Sequence, residues 1–187
     1  MQIEKALLTP NKYSRPCKKL CEVSKIVIHW VGNPNSSAQA NRNYFESLKT
    51  KKVYASAHYI IGLEGEILLC VPEDEIAYHA TIANMDSIGI ENCHPDWEGK
   101  FNSRTYESLI ELCVDLCRRY ELDPETDLLR HYDISKKLCP KYYVLNENAW
   151  TMLKMDVKNK MNMMSEDREL RSGLQRLREY GLMKSLK

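Results

Sequence analysis

The run Lys25-Ile26-Val27-Ile28-His29 constrains the fold more than any other stretch of this chain. Three β-branched residues in succession, with no polar break, read as a buried strand. A strand of that kind needs cover on both faces, which helices normally supply. The rest of the pattern provides them. After the turn and cap region NPNSS, residues Ala38 to Leu48 read as a helix that groups Tyr44, Phe45 and Leu48. Residues Ala57 to Leu63 and Glu66 to Val71 read as a hairpin about Glu64-Gly65. Ser87 to Cys93 alternates, with Ile88 and Ile90 on one side and Gly89 and Glu91 on the other. Ser103 is placed to cap an amphipathic helix with apolar positions at Tyr106, Leu109, Ile110, Cys113, Cys117 and Tyr120, and Asn146 to Met161 forms a third helix. Residues 1 to 24 are mostly extended, since Pro10 and Pro16 oppose a long helix. This order predicts an α/β fold, a mixed central β-sheet flanked by helices.

Length and charge narrow the classes. A chain of 187 residues holds one well-buried domain plus an accessory helix. A net charge of +1 gives no electrostatic argument for nucleic acid or an anionic membrane as partner. No apolar run approaches the roughly 18 to 20 residues that cross a bilayer, so no membrane insertion is expected. The start, MQIEKALLTPNKYSRPCKKL, lacks the positive-then-apolar layout of a secretory signal, which predicts synthesis in the cytoplasm. Seven cysteines is an odd number, and all are expected reduced, with Cys113 and Cys117 packed in the core. Cys17 and Cys21 share an i, i+4 step in a loop, where a labile disulfide is the alternative.

The chemistry-bearing residues are His29, His131 and Cys139. Two imidazoles and a thiolate are ligand types that a tetrahedral zinc accepts, and three protein ligands leave the fourth position for water. A closed structural site would show a fourth ligand and a tighter C-x-x-C pattern, which is absent. Spacing alone leaves the alternative standing: a packed histidine at a strand end and a small buried cysteine.

The wording around those residues resembles a family. HWVGNPNSSAQANRNYFESL, SAHYIIGLEGEILLCVPEDEIAYHA, SIGIEN and RHYDISKKLCP occur in the order used by type 2 zinc-dependent N-acetylmuramoyl-L-alanine amidases. That class includes phage endolysins, bacterial autolysins and peptidoglycan recognition proteins. The chain is most similar to the endolysin and autolysin branch of Bacillus and Clostridium type, over about residues 11 to 160. The resemblance implies one zinc on His29, His131 and Cys139, with bacterial peptidoglycan as substrate. The catalytic domain is expected at residues 1–162, and an enzyme made without a secretory signal is expected to act on the wall after release, by phage lysis or non-classical export.

The same resemblance assigns roles that the residues alone leave open. Glu91 lies on the strand face opposite Ile88 and Ile90; it is either an exposed glutamate in a salt bridge or, as in the resembling branch, the general base and later acid. Lys137, two residues before Cys139, matches a lysine that assists catalysis there, and an ammonium at that offset can reach a developing oxyanion. Its neighbour Lys136 is not separated from it by sequence alone, and position in the motif favours Lys137. His79 in AYHA matches a groove-lining histidine, although Thr81 stands where that segment has glycine. His58 is expected to be structural and His94 a loop residue. Ala57 occupies the place of a catalytic tyrosine in some phage relatives, and Cys17 replaces the glycine that relatives often carry in SRPG. Trp30, Asn33, Asn35 and Trp97 are candidate walls for a sugar or stem peptide, with Trp30 equally suited to the core.

Residues 163–187 stand apart. Ser165 reads as a cap, followed by Leu170, Leu174 and Leu177 at helical spacing and then Gly181. The narrow stripe and dense charge allow a solvated helix docked on the domain. They equally allow a linker, or the start of a wall-binding or self-associating module. Two rival functions remain at this level. One is a non-catalytic recognition module of the same fold; such modules usually replace the ligand at the Cys139 position, and here it is intact. The other is a metal that only stabilises the fold.

Overall fold

The Ile26-Val27-Ile28 core of the expected strand is wholly buried in a computed structural model that describes residues 1–179. Strands β1 (Ile3–Lys5), β2 (Lys25–Trp30), β3 (Tyr59–Ile61), β4 (Ile67–Leu69), β5 (Ser87–Asn92) and β6 (Leu128–Arg130) form one sheet. Their spatial order is β1-β4-β3-β5-β2-β6. Neighbours run parallel except β3 and β4, the hairpin, in which Ile61 pairs with Ile67 and Ile60 with Leu68. Its turn contains Gly65 at φ +83°, a left-handed conformation that suits glycine.

Helices α1 (Ala38–Lys51), α2 (Ser103–Tyr120), α3 (His131–Ser135), α4 (Lys141–Leu145) and α5 (Glu147–Glu179) complete the α/β architecture that the sequence predicts. Alternation along the strands splits the interior into two faces. Ile26, Ile28, Ile88 and Ile90 join Leu109, Leu112, Cys113, Leu116 and Cys117 of α2 and Leu153 and Val157 of α5. Val27 turns the other way, onto Ala80 and Ala83. On that second face, Ala38, Phe45 and Leu48 of α1 cover Ile60 and Leu68. Each fully buried leucine or isoleucine contributes about 1.5–3 kcal/mol, so α2 is held by its stripe and not by propensity. Cys113 and Cys117 lie in that stripe, as expected for core residues.

Several boundaries differ from expectation. Asn102, not Ser103, caps α2: its side chain accepts from the Thr105 N–H at 2.9 Å. Its amide also donates to the Leu63 carbonyl at 2.9 Å, which ties the helix to the hairpin. The third helix continues through Ser165 to Glu179 instead of stopping at Met161. The Ser165 hydroxyl donates back to the Met161 carbonyl at 3.0 Å and caps nothing. The expected stop at Gly181 lies outside the described residues. β6, α3 and α4, of three and five residues, are too short for a periodic signal and were not anticipated.

Candidate active site

Parallel strands deliver their carboxyl ends to one edge of a sheet, and the crevice beyond that edge is where such sheets place ligands. Here β5, β2 and β6 are adjacent and parallel. His29 on β2 pairs in register with Glu91 on β5, and alternation turns both side chains to the face of Val27 and Gly89. His131 is the first residue beyond β6.

Cys139 reaches the site through a local clamp. Arg130 ends β6 with a buried guanidinium. It donates to the Asp133 carboxylate at 2.8 Å, to the Glu147 carboxylate at 2.7 Å and to the Tyr143 carbonyl at 2.9 Å. One cation therefore gathers α3, α4 and the start of α5. The Tyr132 N–H donates to the Cys139 carbonyl at 2.9 Å. The thiol then lies 3.7 Å from His29 Nδ1.

His29, His131 and Cys139 each present one donor atom, all within 4.8 Å of one another, and all three residues are buried. His131 Nδ1 is buried without a hydrogen-bond partner, as expected of a nitrogen held for a ligand. Burial lowers His29 well below the imidazole range, with His79, His131 and Lys137 adding to it. Burial first, and Lys137 second, bring His131 down to about 4. Both rings are thus neutral near pH 7 and can offer a lone pair to a metal. Burial pushes the Cys139 thiol up to about 12, so a metal must displace its proton. Two nitrogens and one sulfur at this spacing fit a tetrahedral ion of zinc type with one open position.

Glu91 stands beside the trio. Its Oε2 is buried and unpartnered, and burial raises the carboxyl to about 8 although the Lys137 ammonium pulls it partly back. Lys137 is exposed, and its charge bears on His29, His131, Glu91 and Cys139 alike. Lys136 instead lies over the Tyr132 ring, 5.2 Å from its centroid. That contact separates two lysines that sequence alone leaves equivalent.

The remaining candidates fall in different places. His79 stands behind His29: its Nδ1 is 3.1 Å from His29 Nε2. His58 is structural as expected, accepting from the Gly89 N–H at Nδ1 (3.0 Å) and donating from Nε2 to the Glu75 carbonyl (2.9 Å). Trp30 alternates to the face opposite His29 and packs on the main core, stacked 4.6 Å from the buried His94 ring. That placement takes it off the metal face and gives it the core role. Asn33 is exposed on the loop after β2, where its carbonyl accepts from Ser36 Oγ at 2.6 Å, and Trp97 is exposed as well. Cys17 and Cys21 are exposed free thiols. Sequence reasoning missed Arg130, whose role depends on three segments meeting.

The family described as Amidase_2, N-acetylmuramoyl-L-alanine amidase, matches residues 19–142. N-acetylmuramoyl-L-alanine amidase BlyA of Bacillus subtilis (strain 168) is 37% identical over 172 residues, 81% of this chain and 46% of its own length. CwlL of Bacillus licheniformis, also named an N-acetylmuramoyl-L-alanine amidase, is 33% identical over 171 residues, 84% of this chain and 47% of its own. The chain spans about half the length of these curated relatives. Among solved structures, the PlyG catalytic domain superposes with a TM-score of 0.71 at 22% identity, over 86% of this chain and 96% of that one. At that identity the likeness speaks for the fold. The matched segment contains His29, Glu91, His131 and Cys139 together, and the chain belongs to the N-acetylmuramoyl-L-alanine amidase family.

Proposed function

We propose that the protein hydrolyses the amide between the lactyl group of N-acetylmuramic acid and the L-alanine of the peptidoglycan stem peptide. The observation that carries this reading is the convergence of His29, His131 and Cys139 within 4.8 Å beside a buried carboxyl at Glu91. The three residues would hold one zinc, which when bound supplies an acidified water and a Lewis acid for the lactyl carbonyl. Glu91 takes a proton from the attacking water and returns it to the departing alanine nitrogen. Burial alone holds this carboxyl protonated near neutral pH; the charge of a bound zinc would favour the carboxylate form that accepts the proton. The Lys137 ammonium offsets negative charge growing on the carbonyl oxygen. Asn33, exposed beside the cleft-forming end of β2, is assigned to substrate contact.

The setting we propose is wall lysis of the phage or prophage endolysin kind, supported by the sequence resemblance to that branch. Residues 1–162 form the catalytic unit, and 163–187 act as a connector or a site of self-association. In support, Met163, Met164 and Leu170 are exposed on α5. No helix among the described residues is long and apolar enough to cross a membrane.

The test is muropeptide release from purified cell walls, read by mass spectrometry, with chelation and zinc add-back in parallel. Free peptides beginning with L-alanine, lost on chelation and restored by zinc, are expected. Zinc bound stoichiometrically without any cleavage would overturn the catalytic reading in favour of recognition alone.

A further inference from the structure

His79 has both ring nitrogens turned inward, so neither is left for a substrate. Nδ1 faces His29 Nε2 at 3.1 Å, and Nε2 faces Ser87 Oγ at 3.3 Å. The proton on each follows from the fixed end of the chain. The Ser87 hydroxyl donates to the Ala83 carbonyl, so towards His79 its oxygen can only accept. His79 Nε2 therefore carries the proton and Nδ1 the lone pair. His29 must then donate from Nε2, which leaves its own lone pair on Nδ1, the nitrogen 3.7 Å from Cys139 Sγ.

The surroundings hold this arrangement. The His79 and Ala80 N–H groups both donate to Asn84 Oδ1, at 2.9 and 2.6 Å. The ring lies against β5 at Gly89, where an added Cβ would fall 2.7 Å from both Cδ2 and Nδ1, a contact that real side chains do not make. Any larger residue there would evict the ring. The neighbouring His58 ring meets it edge-on at 5.8 Å, and the two hydrogen bonds of His58 are spent on Gly89 and Glu75.

We propose that His79, anchored by Ser87 and admitted by Gly89, is the positioning residue that sets the tautomer and ring orientation of the metal ligand His29. The inference rests on the zinc reading for its consequence, though not for its geometry. Partners of this kind are worth about 10- to 100-fold in metal affinity when removed.

Two measurements decide it. The first is the ¹⁵N side-chain spectrum of the metal-free wild-type protein, in which His29 should be protonated at Nε2 and bare at Nδ1. Protonation at Nδ1 overturns the relay, whatever the protein binds. The second is zinc affinity by chelator competition. His79→Ala should weaken it about 10- to 100-fold. His79→Asn, which returns an acceptor close to the Nδ1 position, should recover most of that loss. Ser87→Ala removes the anchor while keeping the ring, and should loosen the His29 tautomer preference in the same spectrum. A folded His79→Ala with affinity within about twofold of wild type, or equal losses for Ala and Asn, would refute the proposal. Wild-type protein that binds no zinc would instead overturn the functional reading, and the metal-free spectrum would still decide the relay.

Discussion

Replacing Glu91 with glutamine should stabilise the metal-free protein while abolishing its turnover. Burial lifts the Glu91 carboxyl from an ordinary 4.5 to about 8 in the fold. Below pH 4.5 both folded and unfolded chains hold the proton, and the group is neutral in its effect. Between 4.5 and 8 the unfolded chain has lost the proton and the folded chain keeps it, so stability falls as pH rises. Above 8 the full penalty is present. At about 1.4 kcal/mol per pH unit the window corresponds to about 5 kcal/mol, and relaxation of the site with water entry leaves an expectation of about 2–4 kcal/mol. Glutamine keeps the shape and carries no charge. Urea denaturation of both metal-free proteins should give similar midpoints at pH 4 and a clear advantage for Glu91→Gln at pH 9. Parallel curves at both values would refute the claim that this carboxyl is held protonated by burial. Wall hydrolysis by the zinc-loaded variant should drop by at least about 100-fold, since no group replaces the proton carrier.

Cys139→Ser removes a thiolate donor, and zinc retained after dialysis should fall well below one per chain; unchanged content would refute that ligation. Lys137→Ala should lower kcat about 10-fold or more, while Lys136→Ala, which loses a contact with Tyr132, should leave turnover near normal. Equal effects would remove the distinction. Glu73 resists burial through hydrogen bonds from Arg119, Tyr120 and Tyr59, which hold its carboxyl down at about 2. Its contribution is present above pH 4.5 and fades as pH falls towards 2, so Glu73→Gln should cost about 1–3 kcal/mol at pH 7 and almost nothing at pH 2.

Legibility in the sequence tracked the length of each signal. β2 and β5 were readable because an unbroken apolar run and a clean alternation are statements about burial itself. β6 was not, because Leu128-Leu129-Arg130 is brief and follows the polar turn Asp123–Asp127. The two cap errors have one cause: serine suits caps, yet the backbone chose Asn102, extended at φ −69° and ψ 170°, and carried Ser165 through a helix interior. That His29, His131 and Cys139 belong together was legible through the wording around each residue; the geometry of their convergence was not. Which nitrogen of His29 faces the thiol depends on His79 lying over Gly89, a relation between strand and loop that no spacing encodes. Trp30 was ambiguous for the opposite reason: an aromatic at a strand end suits the core or a groove, and its packing on the Ile28 side of β2 decides.

Two of the buried polar atoms left without a partner, Glu91 Oε2 and His131 Nδ1, belong to the candidate site. Interior groups such as the His58 ring and the Thr105 hydroxyl are engaged with backbone partners. Among the described residues the unpartnered buried atoms are Glu91 Oε2, Asn92 Oδ1, His94 Nε2 and His131 Nδ1, which follow or end β5 and β6. Strain of this kind collects where a protein keeps groups ready for a ligand. Zinc binding would satisfy His131, and its charge would favour the Glu91 carboxylate that burial alone opposes. It must also displace the Cys139 proton, which becomes easier as pH rises. Both effects act in one direction. The zinc-loaded protein should melt above the metal-free protein by a margin that widens from pH 6 to pH 9, since binding to the folded state alone stabilises it by mass action. Calorimetric scans at the two pH values with fixed free zinc would show it. A margin that stays constant or narrows would mean that neither the thiol nor the carboxyl is coupled to the metal, and the chemistry assigned to this edge of the sheet would fail with it.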